Sequence, residues 1–476
     1  MTAERIGFWL GPALFILTLL TTPPGDMGAP AWAAAGLTAW MAVWWTTQAV
    51  PLPVTGLLPF TIAPFFGGGS ANDVAGDYYS PIIFLLLGGA FIALAIERTG
   101  LHKRLAAWIL DTTGGRGGEF GLLLGFMAAA AILSGIISNT STALIMMPMV
   151  LAVLAGGAMG EEDAPHNEGL FGALPMGLAF AASIGGLGTI IGSPTNAIGA
   201  DLLREISGLQ ITFATWSLFG LPVVLMGVPL AAIIIAKVQR IADHPFDIRA
   251  ARAAIDPPGE WSSAERRVVP VIAAAFVAWM LSSFVGPYLP DDSLTDGTIA
   301  IAASLALFVL PDGTGRRLLD WREADQAPWG VLLMFGGGLA LAGVMTRTGL
   351  ADSLGQALLP LAGVPLVVIA LALVAMVILV TEFASNVATA SGIMPVVAAL
   401  AVALGGDTET ILLLAMPVAL AASWGFVLPA GTGPNAIAWA TGRVALPRLI
   451  KAGLTLDVLG AFLIVGVVFA VGPLIH

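Results

Sequence analysis

The sequence predicts an all-α polytopic membrane protein, an inverted repeat of eleven transmembrane helices plus two re-entrant helical hairpins. Three observations carry this. Of 476 residues, 58% are hydrophobic and only 10% charged, with mean hydropathy +0.93, whereas a soluble domain is about 25% charged. Apolar runs of about 20 residues recur, each long enough to cross a bilayer core of about 30 Å. Four short motifs also appear twice, in the same order. Long runs rich in Gly and Pro, rather than short alternating ones, exclude an outer-membrane barrel.

The first apolar run, 6–21, follows Arg5 and reaches Pro23-Pro24 without a small-residue cleavage pattern, so it reads as a retained span rather than a signal peptide. Further crossings are expected at 31–49, 53–66, 80–97, 170–190, 215–237, 268–288, 296–310, 328–345, 409–428 and 453–473. Two other apolar stretches, 119–155 and 362–404, are interrupted at Ser138-Asn139-Thr140 and Ser385-Asn386-Val387. Their length suits two crossings or one hairpin. Polar side chains in mid-run favour the hairpin, because burying them without partners is costly. The polar linker 238–267 contains Asp256-Pro257-Pro258-Gly259 and separates two similar halves; its 248–255 part reads as a short interfacial helix.

Lys and Arg set the orientation. With a cytoplasmic N-terminus, four basic segments fall inside: Arg98 to Arg116, Lys237 to Arg267, Arg316 to Arg322, and Arg443 to Lys451. The loops 23–30, 67–80 and 290–296 contain no Lys or Arg and fall outside, as does the C-terminus. The predicted location is the cell inner (plasma) membrane. The net charge of −11 says little about partners, no nucleic-acid partner is expected, and the absence of Cys excludes disulfides and thiolate metal sites. No Walker A loop, catalytic triad or zinc motif is present, so neither ATP-driven transport nor an enzyme is expected. His102 and His166 read as ordinary cytoplasmic residues, and Glu97 and Asp320 as solvated span ends.

The repeat is specific. Gly88-Gly89 matches Gly337-Gly338, Arg98-Thr99-Gly100-Leu101 matches Arg347-Thr348-Gly349-Leu350, and Ser138-Asn139 matches Ser385-Asn386. Gly192 to Ile198 matches Gly431 to Ile437, and the four offsets are 249, 249, 247 and 239 residues. Five full crossings separate the two starts, so the second copy is inverted. Such inverted repeats are the usual build of secondary transporters, with substrate near the midplane where broken helices meet.

Non-helical backbone at membrane depth must be buried in protein or face water. Ser and Asn are good helix N-caps, so a break at each Ser-Asn pair aims the free N–H groups and positive end of the next arm at the break. The Gly-rich stretches 184–196 and 429–435 read as further breaks. Hydroxyl, amide and carbonyl oxygens together suit a small hard cation. One cation site per half follows: Ser134, Ser138, Asn139, a carbonyl near Gly192 and Asn196; then Thr381, Ser385, Asn386, a carbonyl near Gly431 and Asn435. No Lys or Arg lies at the tips, so an anion between them depends on dipoles, hydroxyls and the bound cations. A single Ser or Thr in a membrane helix ordinarily bonds a carbonyl one turn back or joins helices; a repeated group is not explained that way. Glu382 has no repeat partner, standing where the first half has Gly135. It reads either as a titrating acid or as a structural acid bonded to backbone amides.

At these residues the chain resembles the divalent anion/sodium symporter family, over nearly its whole length. The family pattern is Ser-Asn-Thr at two hairpin tips, a hydroxyl four positions earlier, and Gly-Thr/Ser-x-x-Asn in the unwound spans. The resemblance implies that both cation sites take Na+ and that Asn139, Thr140, Ser193, Asn386, Val387 and Thr432 surround a di- or trivalent anion, such as a C4-dicarboxylate. It also implies a homodimer in which a hairpin-bearing part moves as an elevator against a scaffold. On that basis residues 1–79 and 215–327 are expected as scaffold, 80–214 and 328–445 as the repeated transport parts, and 446–476 as the last helix. Two departures stand out. Val387 replaces a Thr, a loss of about 1.5–3 kcal/mol if that hydroxyl faces a charged ligand, and Gly433-Pro434 stands where two prolines are common. Sodium-independent or proton-coupled exchange through Glu382, and sulfate or sulfonate transport, are the competing readings. An anion channel is disfavoured by the paired sealed hairpins.

Overall fold

The computed structural model describes residues 3–113, 117–157, 168–208, 210–244, 246–253, 259–290, 293–358 and 363–474. Arg116, His166 and Asp256-Pro257-Pro258 lie outside the described residues. Within them the chain is helical, and the only β pairing is an isolated bridge between Pro311 and Arg317.

Helices α1 (Ala3–Leu20) and α2 (Ala29–Thr47) pair first. The expected single span at 53–66 is instead three pieces: α3 (Leu52–Thr55), α4 (Leu58–Ile62) and a 3-10 turn Ala63–Phe66. Each carries a proline within its first two positions, which removes N–H donors and restarts the helix. Then come α5 (Ala71–Asp77), α6 (Pro81–Thr99), α7 (Leu101–Thr113), α8 (Gly118–Ser134) and α9 (Asn139–Gly156). Next are α10 (Gly169–Gly185), a 3-10 turn Gly186–Gly188, α11 (Pro194–Ser207) and α12 (Phe213–Val238). The linker helix is α13 (Ile248–Ala253), followed by α14 (Ser263–Val285), α15 (Asp296–Val309) and α16 (Trp321–Ala324).

The order then repeats. Helix α17 (Trp329–Thr348) corresponds to α6, α18 (Leu350–Leu358) to α7, α19 (Leu366–Thr381) to α8 and α20 (Asn386–Leu404) to α9. Helices α21 (Thr408–Ala421), α22 (Gly433–Ala440) and α23 (Leu446–Val471) correspond to α10, α11 and α12. Matched partners have similar lengths, as in α8 and α19 (17 and 16 residues) or α12 and α23 (26 each). The short α7 and α18 are amphipathic and too short to appear as spans in a hydropathy reading. Their starts are nonetheless marked, because Gly100 and Gly349 cap the preceding helices at φ +78° and +75°.

Among the described residues, nine helices are long and apolar enough to cross a membrane. Seven coincide with expected crossings, and two, Asn139–Gly156 and Asn386–Leu404, begin at the interruptions of the stretches 119–155 and 362–404. Helix α15 has 14 residues, about 21 Å, shorter than a bilayer core. Helix α21 stops at Ala421, so the second break runs from 422 to 432 and opens well before the expected 429.

Small residues set the close packing. A Cβ on Gly88 of α6 would lie 2.6 Å from the Ala300 Cβ of α15, and Ser304 Oγ donates to Gly88 O at 3.2 Å. At the matching place in α17, a Cβ on Gly337 would lie 2.3 Å from Gly56 O. The matched arginines anchor the ends of these helices. Arg98 pairs with Asp312 and with Glu323 at 3.2 Å, and Arg347 pairs with Asp77 at 2.6 Å. His102 is buried and its Nδ1 sits 3.2 Å from Ile96 O, the ordinary role expected of it.

The halves interlock. Helix α11 lies against α20 and α21, while α22 lies against α9 and α10. Fully buried Phe180 and Phe426 meet between them with ring centroids 4.7 Å apart. Overpacking the α17 contact therefore has a definite outcome. Gly337→Ala is expected to destabilise the protein by about 1–3 kcal/mol, read as a lower thermal midpoint of the purified protein. Gly466→Ala on α23, where a Cβ would meet nothing within 4 Å, is expected to be neutral or stabilising by up to about 1 kcal/mol.

Candidate functional site

Four helices start at one place. Helix α9 begins at Asn139 with Ser138 as N-cap, its hydroxyl accepting Ser141 N–H at 3.1 Å. Helix α20 begins at Asn386 with Ser385 as N-cap. Helix α11 begins at Pro194 after Ser193, and α22 at Gly433 after Thr432, whose hydroxyl accepts Asn435 N–H at 3.2 Å. The first residues of all four line a single cavity of about 480 Å³. The positive dipole ends of four helices thus converge on it, an arrangement that favours an anion. Among the described residues, the cavity wall contains no Lys or Arg.

All six residues expected around the anion line this cavity: Asn139, Thr140, Ser193, Asn386, Val387 and Thr432. Ser138 and Gly192 line it too, as does Thr195, whose hydroxyl accepts from Ser193 Oγ at 3.1 Å. Glu97 also enters the wall and is half-buried, rather than fully solvated as its position at a span end suggested. The two halves touch at the start of α22. A Cβ on Gly433 would lie 2.4 Å from Thr140 Oγ1, so glycine here leaves room for the threonine hydroxyl.

Behind the cavity, each half forms the same buried knot. Ser134 Oγ lies 2.7 Å from Asn139 Oδ1 and donates to Ala182 O at 2.6 Å. Thr381 Oγ1 lies 2.8 Å from Asn386 Oδ1 and donates to Ala422 O at 2.9 Å. Asn196 donates from Nδ2 to Gly186 O at 2.7 Å and Thr189 O at 2.8 Å; Asn435 donates to Leu428 O at 3.2 Å. The knot in the first half has a surplus of oxygens. Asn139 Oδ1 faces Ser134 Oγ and the carbonyls of Gly192 and Ala182, with no donor except the serine hydroxyl. Two things relieve such a cluster: turning the amide so that its nitrogen donates to all three, at 2.7–3.3 Å, or a cation among the oxygens. The buried Oδ1 atoms of Asn196 and Asn435 have no partner.

The remaining expected residues are dispersed. Ser138 and Ser385 sit at the helix starts, and the hydroxyl of Ser138 is engaged in capping. Gly431 is buried in the second break, its N–H bonded to Leu428 O at 3.2 Å. Two further matched pairs of buried hydroxyls have no partner, Thr142 with Thr389, which the sequence places in the repeat without a role, and Ser183 with Ser423, which the sequence reading missed. The signal for the first pair was present, since Thr142-Ala143 and Thr389-Ala390 follow the two Ser-Asn groups in register. Glu382 takes the structural form: Oε1 accepts Val427 N–H and Oε2 accepts Leu428 N–H, both at 2.8 Å.

Comparison with known proteins gives a consistent neighbourhood. The family model described as citrate transporter matches residues 42–413. The sodium-dependent dicarboxylate transporter SdcS of Staphylococcus saprophyticus is 36% identical over 480 residues, covering 99% of this chain and 92% of that protein. SdcS of Staphylococcus aureus strain MRSA252 is also 36% identical, covering 100% and 92%. Among solved structures, the YdaH transporter of Alcanivorax borkumensis matches with a TM-score of 0.54 at 14% identity, covering 100% of this chain and 98% of that one. That last likeness concerns the fold alone.

The two buried asparagines are not equally tied. Asn196→Ala removes two hydrogen bonds and is expected to destabilise by about 1–3 kcal/mol, and Asn435→Ala, which removes one longer bond, by about 1 kcal/mol. Thermal unfolding of the purified variants tests this, and equal losses would contradict it.

Proposed function

The chain belongs to the divalent anion/sodium symporter family, a family of transporters rather than enzymes, and from that premise we propose that it is a sodium-coupled importer of a divalent anion, with a C4-dicarboxylate as substrate. One observation carries the reading. Four helix N-termini and the hydroxyls of Thr140, Ser193 and Thr432 meet in one cavity whose wall has no Lys or Arg. Two carboxylates brought there gain dipoles and hydroxyl donors, but no fixed counter-charge.

Sodium supplies that charge in this reading. In the first half, Ser134, Ser138, Asn139, Asn196 and the carbonyl of Gly192 provide its oxygens. In the second, Thr381, Ser385, Asn386, Asn435 and a carbonyl near Gly431 do so. The unpartnered, buried Oδ1 atoms of Asn196 and Asn435 support it, since oxygen-only sites suit a hard cation. Coupling follows from electrostatics: an anion in this cavity is held firmly only when the neighbouring cations are present. Val387 gives the second tip an apolar third position, and the substrate's hydrogen bonds are correspondingly carried by the Thr140 side of the cavity.

The reading extends to motion and assembly. The halves are an inverted repeat, the arms α8–α9 and α19–α20 are re-entrant hairpins, and the N-terminus is cytoplasmic with the C-terminus outside. The hairpins, with α10–α11 and α21–α22, move as an elevator within a homodimer in the inner membrane. Helices α6 and α17, which fall within the expected transport parts 80–214 and 328–445, are assigned to the scaffold in this reading, because Gly88 and Gly337 pack them tightly against α15 and α3. The competing proton-coupled reading through Glu382 is less favoured, because that carboxyl is already committed to two backbone amides.

Uptake of labelled succinate into proteoliposomes is expected to require an inward sodium gradient. Asn139→Ala and Asn386→Ala are each expected to abolish it. Sodium-independent uptake would overturn the coupling, and full activity in either variant would overturn the site.

A further inference from the structure

Among the described residues, the wall of the anion cavity has one charged side chain, and it is an acid, Glu97. One face of α6 forms this side of the cavity. Leu86, Gly89, Ala90, Ala93 and Leu94 follow one another at helical spacing, and Glu97 ends the stripe. The inner part of the stripe meets the site, since a Cβ on Gly89 would lie 3.2 Å from Ile191, the residue before Gly192. Glu97 lies about 12 Å farther along the helix. Arg98 pairs with Glu323 at 3.2 Å, which brings the segment before α17 to the same end of α6. Gln326 and Pro328 of that segment are exposed and also line the cavity, so this end is its mouth. Among the described residues, no hydrogen bond or ion pair ties up the Glu97 carboxylate.

The repeat does not copy this charge. Thr346 of α17 precedes Arg347 as Glu97 precedes Arg98. It is exposed, and its hydroxyl donates back to Ala342 O at 3.1 Å. Arg98 and Arg347 are each paired with an acid, which leaves Glu97 against Thr346 as the difference at this position. We propose that Glu97 tunes substrate release: its carboxylate repels the bound dianion at one mouth only, so the anion leaves more readily there than on the other side of the membrane. The proposal rests on the sodium-coupled elevator reading, in which α6 stays with the scaffold while the site moves away from Glu97. In an inverted repeat, the state open to the other side exchanges the roles of the halves, and Thr346 then stands at the mouth. In the orientation proposed above, the acidic mouth is the cytoplasmic one. The sodium gradient still sets the final accumulation; Glu97 sets on which side the anion is held more weakly.

The test measures succinate KM from each face, with right-side-out membrane vesicles for the outer face and inverted vesicles for the cytoplasmic face. E97Q is expected to lower the cytoplasmic-face KM about threefold at low ionic strength, the size of one charge acting on a dianion about 12 Å away through water. The outer-face KM is expected to stay as in wild type. Added choline chloride is expected to shrink the difference, because exposed charges are screened. E97D keeps the charge and is expected to keep the wild-type KM on both faces. T346E is expected to raise the outer-face KM by about threefold; where it is not recovered folded, E97Q carries the test. Equal shifts at both faces, no shift at the cytoplasmic face, or a shift that salt does not alter would each overturn the proposal. Wild-type uptake that ignores sodium would remove the underlying functional reading as well; sodium-driven wild-type uptake with an unaffected E97Q removes this inference alone.

Discussion

The constraint on which the structure depends is that no backbone polar group can be left to hydrocarbon. Every break in a membrane helix frees amides and carbonyls that must then find partners. Here the partners are short-range and paired. One hydroxyl, from Ser134 or Thr381, links the asparagine at the next helix start to a carbonyl at the end of a facing helix, Ala182 or Ala422. That single bridge joins hairpin and unwound span in each half. Without it, neither break has its oxygens gathered or its helix starts aligned.

The interlocking of the halves follows from the same need. An unwound segment is shielded by whatever packs over it, and each half covers the other: α11 rests on α20 and α21, and α22 on α9 and α10. Indoles complete the cover. Trp216 Nε1 donates to Leu187 O at 3.0 Å in the first break, and Trp424, within the second break, donates to Leu456 O of α23 at 3.3 Å. The cavity is thus a property of both halves, and the contact of Thr140 with Gly433 is its seam.

Much of this was legible because the repeat carries polar atoms. The Ser138-Asn139 and Ser385-Asn386 groups marked both hairpin breaks, and the residues expected around an anion line one cavity. What escaped was what hydropathy averages away. The run 53–66 is apolar enough for a span, yet its prolines divide it. Helices α7 and α18 are too short and too amphipathic to register. The second break opens at Ala422 in a mostly apolar stretch, where Ser423 is the one hydroxyl before Thr432. Asp457 is a lone acid in a long apolar helix, and only the fold brings it to the same cavity wall as Glu382.

The absence of Lys and Arg from the cavity wall also bears on the unloaded protein. A carrier must bring its empty site back across the membrane, and a fixed cationic side chain in that site would have to be dehydrated on every return. A cavity built mainly from dipoles and hydroxyls leaves no cationic side chain there once the anion and its accompanying ions depart, only the half-buried Glu97 at its wall. In the elevator reading, the full site crosses with its charges nearly balanced and the empty one with no cationic side chain to dehydrate. A half-loaded site, holding an anion without cations or the reverse, is the species that faces the barrier, which is what strict coupling requires.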